Sequence, residues 1–120
     1  MAESQPSSPM DPRERRAAPR WPVDFPVVYG AGEDTYHGRA ADMSEGGLCF
    51  QGDDSYPAGT VIKLSLQVHT LEGREEPIDL QAKICHRRGQ SIGAQFLNLT
   101  PEQHTAIMET LYQIIAINRR

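Results

Sequence analysis

Two short clusters in the 120-residue chain carry side chains whose types and spacing could bind a ligand. The first is Arg15-Arg16-Ala17-Ala18-Pro19-Arg20, an Arg-x-x-x-Arg preceded by one more arginine. The second is Asp42-Met43-Ser44-Glu45-Gly46-Gly47, an Asp-x-Ser-x-x-Gly. An arginine fork meets a phosphate, or the O6 and N7 edge of guanine, with two parallel hydrogen bonds. Lysine would supply a point charge without that geometry. An ionised Asp42 only accepts and suits the N–H edge of a guanine, while the Ser44 hydroxyl donates or accepts. Gly46 and Gly47 permit a tight turn and the close approach of a ligand to the backbone. A molecule holding both guanine and phosphate would use all of these groups. Each cluster also has an ordinary reading: an arginine run is often solvated charge, and Asp-x-Ser-x-x-Gly is common turn chemistry. Their specificity lies in the combination.

The charge distribution fits a local anion site. Net charge is −4, which argues against a general nucleic-acid binder, yet Arg13, Arg15, Arg16 and Arg20 fall close together on an otherwise acidic chain. The start of the chain is polar and acidic, unlike a signal peptide, and no apolar run approaches the roughly 18 residues that span a bilayer. The expectation is a cytoplasmic protein without membrane insertion. Cys49 and Cys85 have no partners at metal-ligand spacing, and reduced thiols fit that compartment. No metal or cofactor is expected. Nor is catalysis, because no nucleophile–base pair or phosphate-cradling loop before a helix is recognisable.

The elements that must position the two clusters follow from punctuation and period. Residues 1–20 hold four prolines, three serines and almost nothing apolar larger than alanine, so they are read as a flexible arm, and residues 21–120 as the folded body. Short strands are expected at Pro26–Tyr29, Tyr36–Ala41 and Gly47–Phe50, with a turn at Pro57-Ala58-Gly59. Val61 to His69 alternates, as does Ile78 to Cys85 after a hairpin loop at Leu71 to Glu76. Ser91 to Leu97 follows a turn at Gly89. Six closely spaced strands predict an all-β core: a six-stranded antiparallel β-barrel. Thr100 as N-cap, Pro101 and Gln103 then predict a C-terminal α-helix with a capping box. Its stripe of Ile107, Met108, Leu111, Ile114 and Ile115 should cover one mouth of the barrel.

With both clusters in this order ahead of six strands, the sequence resembles the PilZ family over roughly Arg13 to Ile117. Further points of likeness are the Pro22 to Val27 stretch, Gly47-Leu48, Pro57-Ala58-Gly59-Thr60, and Ile92-Gly93-Ala94-Gln95-Phe96 leading into Leu99-Thr100-Pro101-Glu102. The resemblance implies a receptor for cyclic di-GMP. Arg16 and Arg20 would clasp phosphate and the guanine Hoogsteen edge, Asp42 and Ser44 would take the other side of a guanine, and Gly46 and Gly47 would shape the loop. Arg15, before the motif, resembles members that hold a stacked pair of ligands. Trp21 is a possible secondary contact, though anchoring the arm onto the barrel is its more ordinary role. Arg87 and Arg88 are placed in a solvated turn, and the four histidines are given no role. A single domain is expected to be a monomer that signals to an unidentified downstream protein. The alternatives are a PilZ-like protein–protein adaptor that binds no nucleotide, and a small-barrel binder of single-stranded nucleic acid. Scattered aromatics and the acidic balance weigh against the second.

Overall fold

The computed structural model describes residues 19–68 and 75–118. Seven strands precede one helix: β1 Trp21–Pro22, β2 Pro26–Gly30, β3 Tyr36–Met43, β4 Gly47–Gln51, β5 Val61–Leu66, β6 Ile78–Arg88, β7 Ser91–Leu97 and α1 Pro101–Asn118. All pairings are antiparallel, and the order β3-β2-β5-β6-β7-β4 closes through a β3–β4 pairing, giving the six-stranded barrel. β1 lies outside that count. Trp21 pairs with Met43 and Pro22 with Asp42, on the edge of β3 that β2 occupies further along. Hydrogen bonds from Val23 N to Ala41 O and from Ala40 N to Phe25 O bridge the gap. The stretch from Trp21 to Gly30 thus runs as one interrupted ribbon along β3.

Alternation explains the core. Ile62, Leu64 and Leu66 of β5 and Ile78, Leu80, Ala82 and Ile84 of β6 point inward and are buried, while Lys63, Asp79, Gln81 and Lys83 lie outside or at the margin. Val27, Tyr29, Met43, Leu48, Phe50, Ile92 and Phe96 complete the interior. Two bulges break the period. In β3 the register against β4 shifts between Ala40 and Asp42, and in β6 the register against β7 shifts between Ile84 and His86. After each, the side chains swap faces relative to the preceding alternation.

Several boundaries differ from the sequence expectation. β5 ends at Leu66 rather than His69: Gln67 N still donates to Pro26 O in register with β2, and Val68 N then turns back to Leu66 O, which takes the chain off the ladder. β6 continues past Cys85 to Arg88, carried by the bulge. Of the hairpin loop expected at Leu71 to Glu76, residues 71–74 lie outside the described residues, and Glu76 N reaches Val68 O at 2.9 Å. At the helix the capping box forms as expected: Thr100 N donates to Gln103 Oε1 at 2.8 Å and Gln103 N to Thr100 Oγ1 at 3.1 Å. Ile107 and Leu111 are buried in the core cluster, and α1 packs against β6 and β1. Ile114 and Ile115 are only half-buried, and Tyr112 and Ile117 are exposed. Both cysteines are free thiols.

At the end of the barrel reached by the β6 bulge, a polar cluster is enclosed. Tyr29 Oη donates to Asp54 Oδ1 at 2.5 Å, Tyr56 N to Asp54 Oδ2 at 2.8 Å, and Arg87 Nη1 to Asp54 Oδ2 at 2.8 Å. Arg87 also donates to Tyr56 O and Asp54 O. The Asp54 side chain is fully shielded from solvent. Arg87 is therefore not a solvated turn residue, as the sequence had placed it; the bulge turns it inward to a carboxylate that needs a partner.

Candidate functional site

The loop between β3 and β4 and the entry of the chain at Pro19–Trp21 come together because β1 pairs with the last two residues of β3. Arg20, just before β1, meets Asp42 there: Nε lies 2.7 Å and Nη2 2.6 Å from the same oxygen, Asp42 Oδ1. Both side chains are partly exposed, at 42% and 37%. An exposed pair of this kind is worth at most about 1 kcal/mol, so either member can be exchanged for a ligand at small cost.

The β3 bulge sets this geometry. Gly38 and Ala40 face the interior, so unbroken alternation would point Asp42 inward and Met43 outward. The register shift reverses them: Met43 is fully buried and Asp42 faces out toward Arg20.

The rest of the loop is held from within. Ser44 is 4% exposed; its Oγ accepts from Gly46 N at 3.3 Å, and its own N donates to Gly47 O at 2.9 Å. Gly46 O accepts from Phe96 N at 2.9 Å, fastening the loop to β7. Gly47 is needed for a neighbour inside the fold: a Cβ there would stand 2.5 Å from Ala94 O. Gly46 faces open space. Trp21 is half-buried against the core, the anchoring role weighed in the sequence. Arg15 and Arg16 lie outside the described residues; Arg20, the described member of the arginine cluster, stands at the loop.

Three neighbours carried no signal in the sequence. Glu45 Oε2 sits 3.2 Å from His104 Nε2 on the first turn of α1, joining the loop to the helix. Arg39, two residues before the bulge, points outward and pairs with Asp24 at 2.5 Å. On the outer face, Asp42 is opposite Cys49, Cys49 opposite Gly93, and Gly93 opposite His86. One row of side chains thus runs from the loop across β3, β4, β7 and β6. In the adjoining row Arg39, Gln51, Ser91 and Arg88 follow one another, so basic residues stand at both ends of that row. Only pairing register could have revealed these relations, and register depends on both bulges.

Elsewhere the strongest electrostatic perturbations belong to the enclosed cluster. Burial, then the hydrogen bond and charge of Asp54, push the Tyr29 phenol well above its ordinary range. Burial would raise the Asp54 carboxyl. Hydrogen bonds from Tyr29, Arg87 and the Tyr56 amide, together with the Arg87 charge, outweigh it and hold the group below the usual carboxylate value. A groove of about 620 Å³ lies over the outer side of β2, β5 and β6, lined by Val28, Lys63, Ser65, Asp79 and Gln103 among others; Arg20 and Asp42 are not part of it.

Comparison with known proteins agrees with this architecture. The PilZ domain of CeSA from a cellulose-synthesizing bacterium superposes with a TM-score of 0.62 at 17% identity, covering 84% of this chain and 99% of that one. The PilZ domain of YcgR from Escherichia coli, solved with c-di-GMP, gives 0.69 at 15% identity, covering 88% and 95%. The Bacillus subtilis inhibitor of motility MotI/DgrA gives 0.71 at 17% identity, covering 92% of this chain but 58% of that longer one. At these identities the likeness is one of fold. No curated protein sequence matches the chain. No helix among the described residues is long and apolar enough to cross a membrane. The family model for the PilZ domain, generally a c-di-GMP receptor and adaptor, matches residues 14–113, a span that takes in the Arg-x-x-x-Arg and Asp-x-Ser-x-x-Gly clusters, the whole barrel and most of the helix; the chain belongs to the PilZ domain family.

Proposed function

We propose that the protein is a cyclic di-GMP receptor that acts in the cytoplasm and reports occupancy to a partner protein without catalysis. The observation that carries this reading is the Arg20–Asp42 contact. It brings the end of the Arg-x-x-x-Arg motif onto the Asp-x-Ser-x-x-Gly loop, across 22 residues of sequence. The ligand is a dianion bearing two guanines. Its phosphate would take the place of the carboxylate at the Arg20 fork, and the released Asp42 would accept from a guanine N–H edge. The loop needs little rearrangement for this, since Ser44, Gly46 and Gly47 are already fixed by backbone hydrogen bonds. Arg16 would add a second fork. Binding would draw the arm, residues 1–20, over the barrel and create a composite surface for the partner to read. Arg15 is assigned to a stacked pair of ligand molecules.

Calorimetric titration of cyclic di-GMP into the wild-type chain, Arg16→Ala and Arg20→Ala tests this. The expected result is saturable binding by the wild type with two nucleotides per chain, weakened about tenfold or more in each variant, as befits loss of a charge-assisted hydrogen bond. One nucleotide per chain would overturn the stacked pair alone. Binding that ignores both substitutions would move the site elsewhere. Absence of binding would leave the adaptor reading, in which the outer face engages protein directly.

A further inference from the structure

We propose that the imidazole of His86 is a stacking platform for the base at the far end of the ligand, so that the row Asp42, Cys49, Gly93 and His86 is the ligand's footprint. This rests on the receptor reading and extends it to the opposite end of the outer face.

Four observations carry it. First, register places these residues in a single line across β3, β4, β7 and β6. Three strand spacings of roughly 4.8 Å set Asp42 and His86 at most about 14 Å apart, a span suited to a molecule with a base at each end. Second, a bulge lies at each end of the row. The one in β3 turns Asp42 outward, and the one in β6 does the same for His86, which unbroken alternation from Ile84 would have put in the core. Bulges re-aim side chains, and here both aim at one surface.

Third, the His86 ring lies across Gly93. A Cβ on that glycine would fall on Nε2, Cε1 and Cδ2 together, so the ring covers the backbone and does not merely stand beside it. Gly93 is accordingly buried while His86 stays exposed. Among the described residues neither ring nitrogen has a hydrogen-bond partner, which leaves the platform uncommitted. Fourth, the middle of the row is low. Cys49 and Gly93 raise nothing larger than a thiol between the two ends, and of the adjoining basic residues Arg39 is paired with Asp24 while Arg88 brings positive charge suited to a phosphate. Flat aromatic side chains, histidine among them, accept nucleobases on their faces with little regard to sequence.

The test is titration of cyclic di-GMP into wild type, His86→Ala and His86→Phe, with NMR of the His86 ring protons in the wild type. His86→Ala should weaken binding about ten- to hundredfold, the range set by loss of one base–aromatic stack. His86→Phe should stay within a few-fold of wild type, which a role through imidazole hydrogen bonding would not allow. The wild-type ring protons should move upfield at saturation, a readout that needs no variant. Wild-type binding with His86→Ala unaffected, or with unmoved ring protons, overturns the platform alone. A wild type that takes up no nucleotide overturns the receptor reading, and the platform with it.

Discussion

At the scale of single residues, the most consequential polar group outside the site is Asp54. Its carboxylate is enclosed, and Arg87, Tyr29 and the Tyr56 amide supply the donors that make its burial tolerable. Removing one partner leaves the other uncompensated. Arg87→Ala is therefore expected to lower unfolding free energy by about 3–5 kcal/mol, read as the urea midpoint, while Arg88→Ala next to it changes stability by under about 0.5 kcal/mol. The contrast between these neighbours shows where sequence reading stopped. Two arginines beside Gly89 look alike in a string of letters, and only the register shift after Ile84 sends one inward. Asp42 was readable for the opposite reason. Its candidacy followed from chemical type and spacing to Ser44 and Gly47, which no bulge alters, although the means of turning it outward to Arg20 stayed hidden.

At the scale of elements, legibility followed how local the determining forces are. The helix start was visible because capping is settled within four residues, and both hydrogen bonds of the Thr100–Gln103 box are present. Thr100→Ala should cost about 1 kcal/mol, measured by thermal or urea unfolding. Its effect should reach the loop between β3 and β4 through His104 and Glu45, appearing as amide shifts around Gly46. Strands β5 and β6 were visible through strict alternation; their ends were not, since the turn of Val68 N back to Leu66 O and the bulged pairing with β7 decide them. β1 went unforeseen for a similar reason. Two residues have no period of their own, and Trp21–Pro22 is a strand only because the end of β3 is there to receive it.

At the scale of the whole molecule, closure pairs each of the six barrel strands on both sides, while β1 is paired with β3 alone. The enclosed cluster also sets how the fold responds to pH. Asp54 is depressed in the folded state, so its contribution is present above the unfolded value of about 3.9 and is lost as pH falls through the lower folded one. Tyr29 is raised, so its contribution is complete below about 10 and is lost as pH rises beyond that. Stability from this pair should form a plateau between those limits, falling on both sides. Denaturant midpoints measured across pH should show the alkaline fall shallower in Tyr29→Phe, and an unchanged alkaline slope in that variant would contradict the assignment.

The row from Asp42 to His86 crosses the β4–β7 ladder, where Gly47 to Gln51 meet Ser91 to Gln95. Of the strand pairings this one joins the segments farthest apart along the chain, so it closes the longest loop and is the costliest in chain entropy to form. A barrel opens where its longest-range seam parts. A molecule lying along the row would bridge that seam like a splint. Amide hydrogen exchange along β4 and β7 should then slow in proportion to ligand saturation, while β5 and the β5-facing edge of β6 keep their native rates.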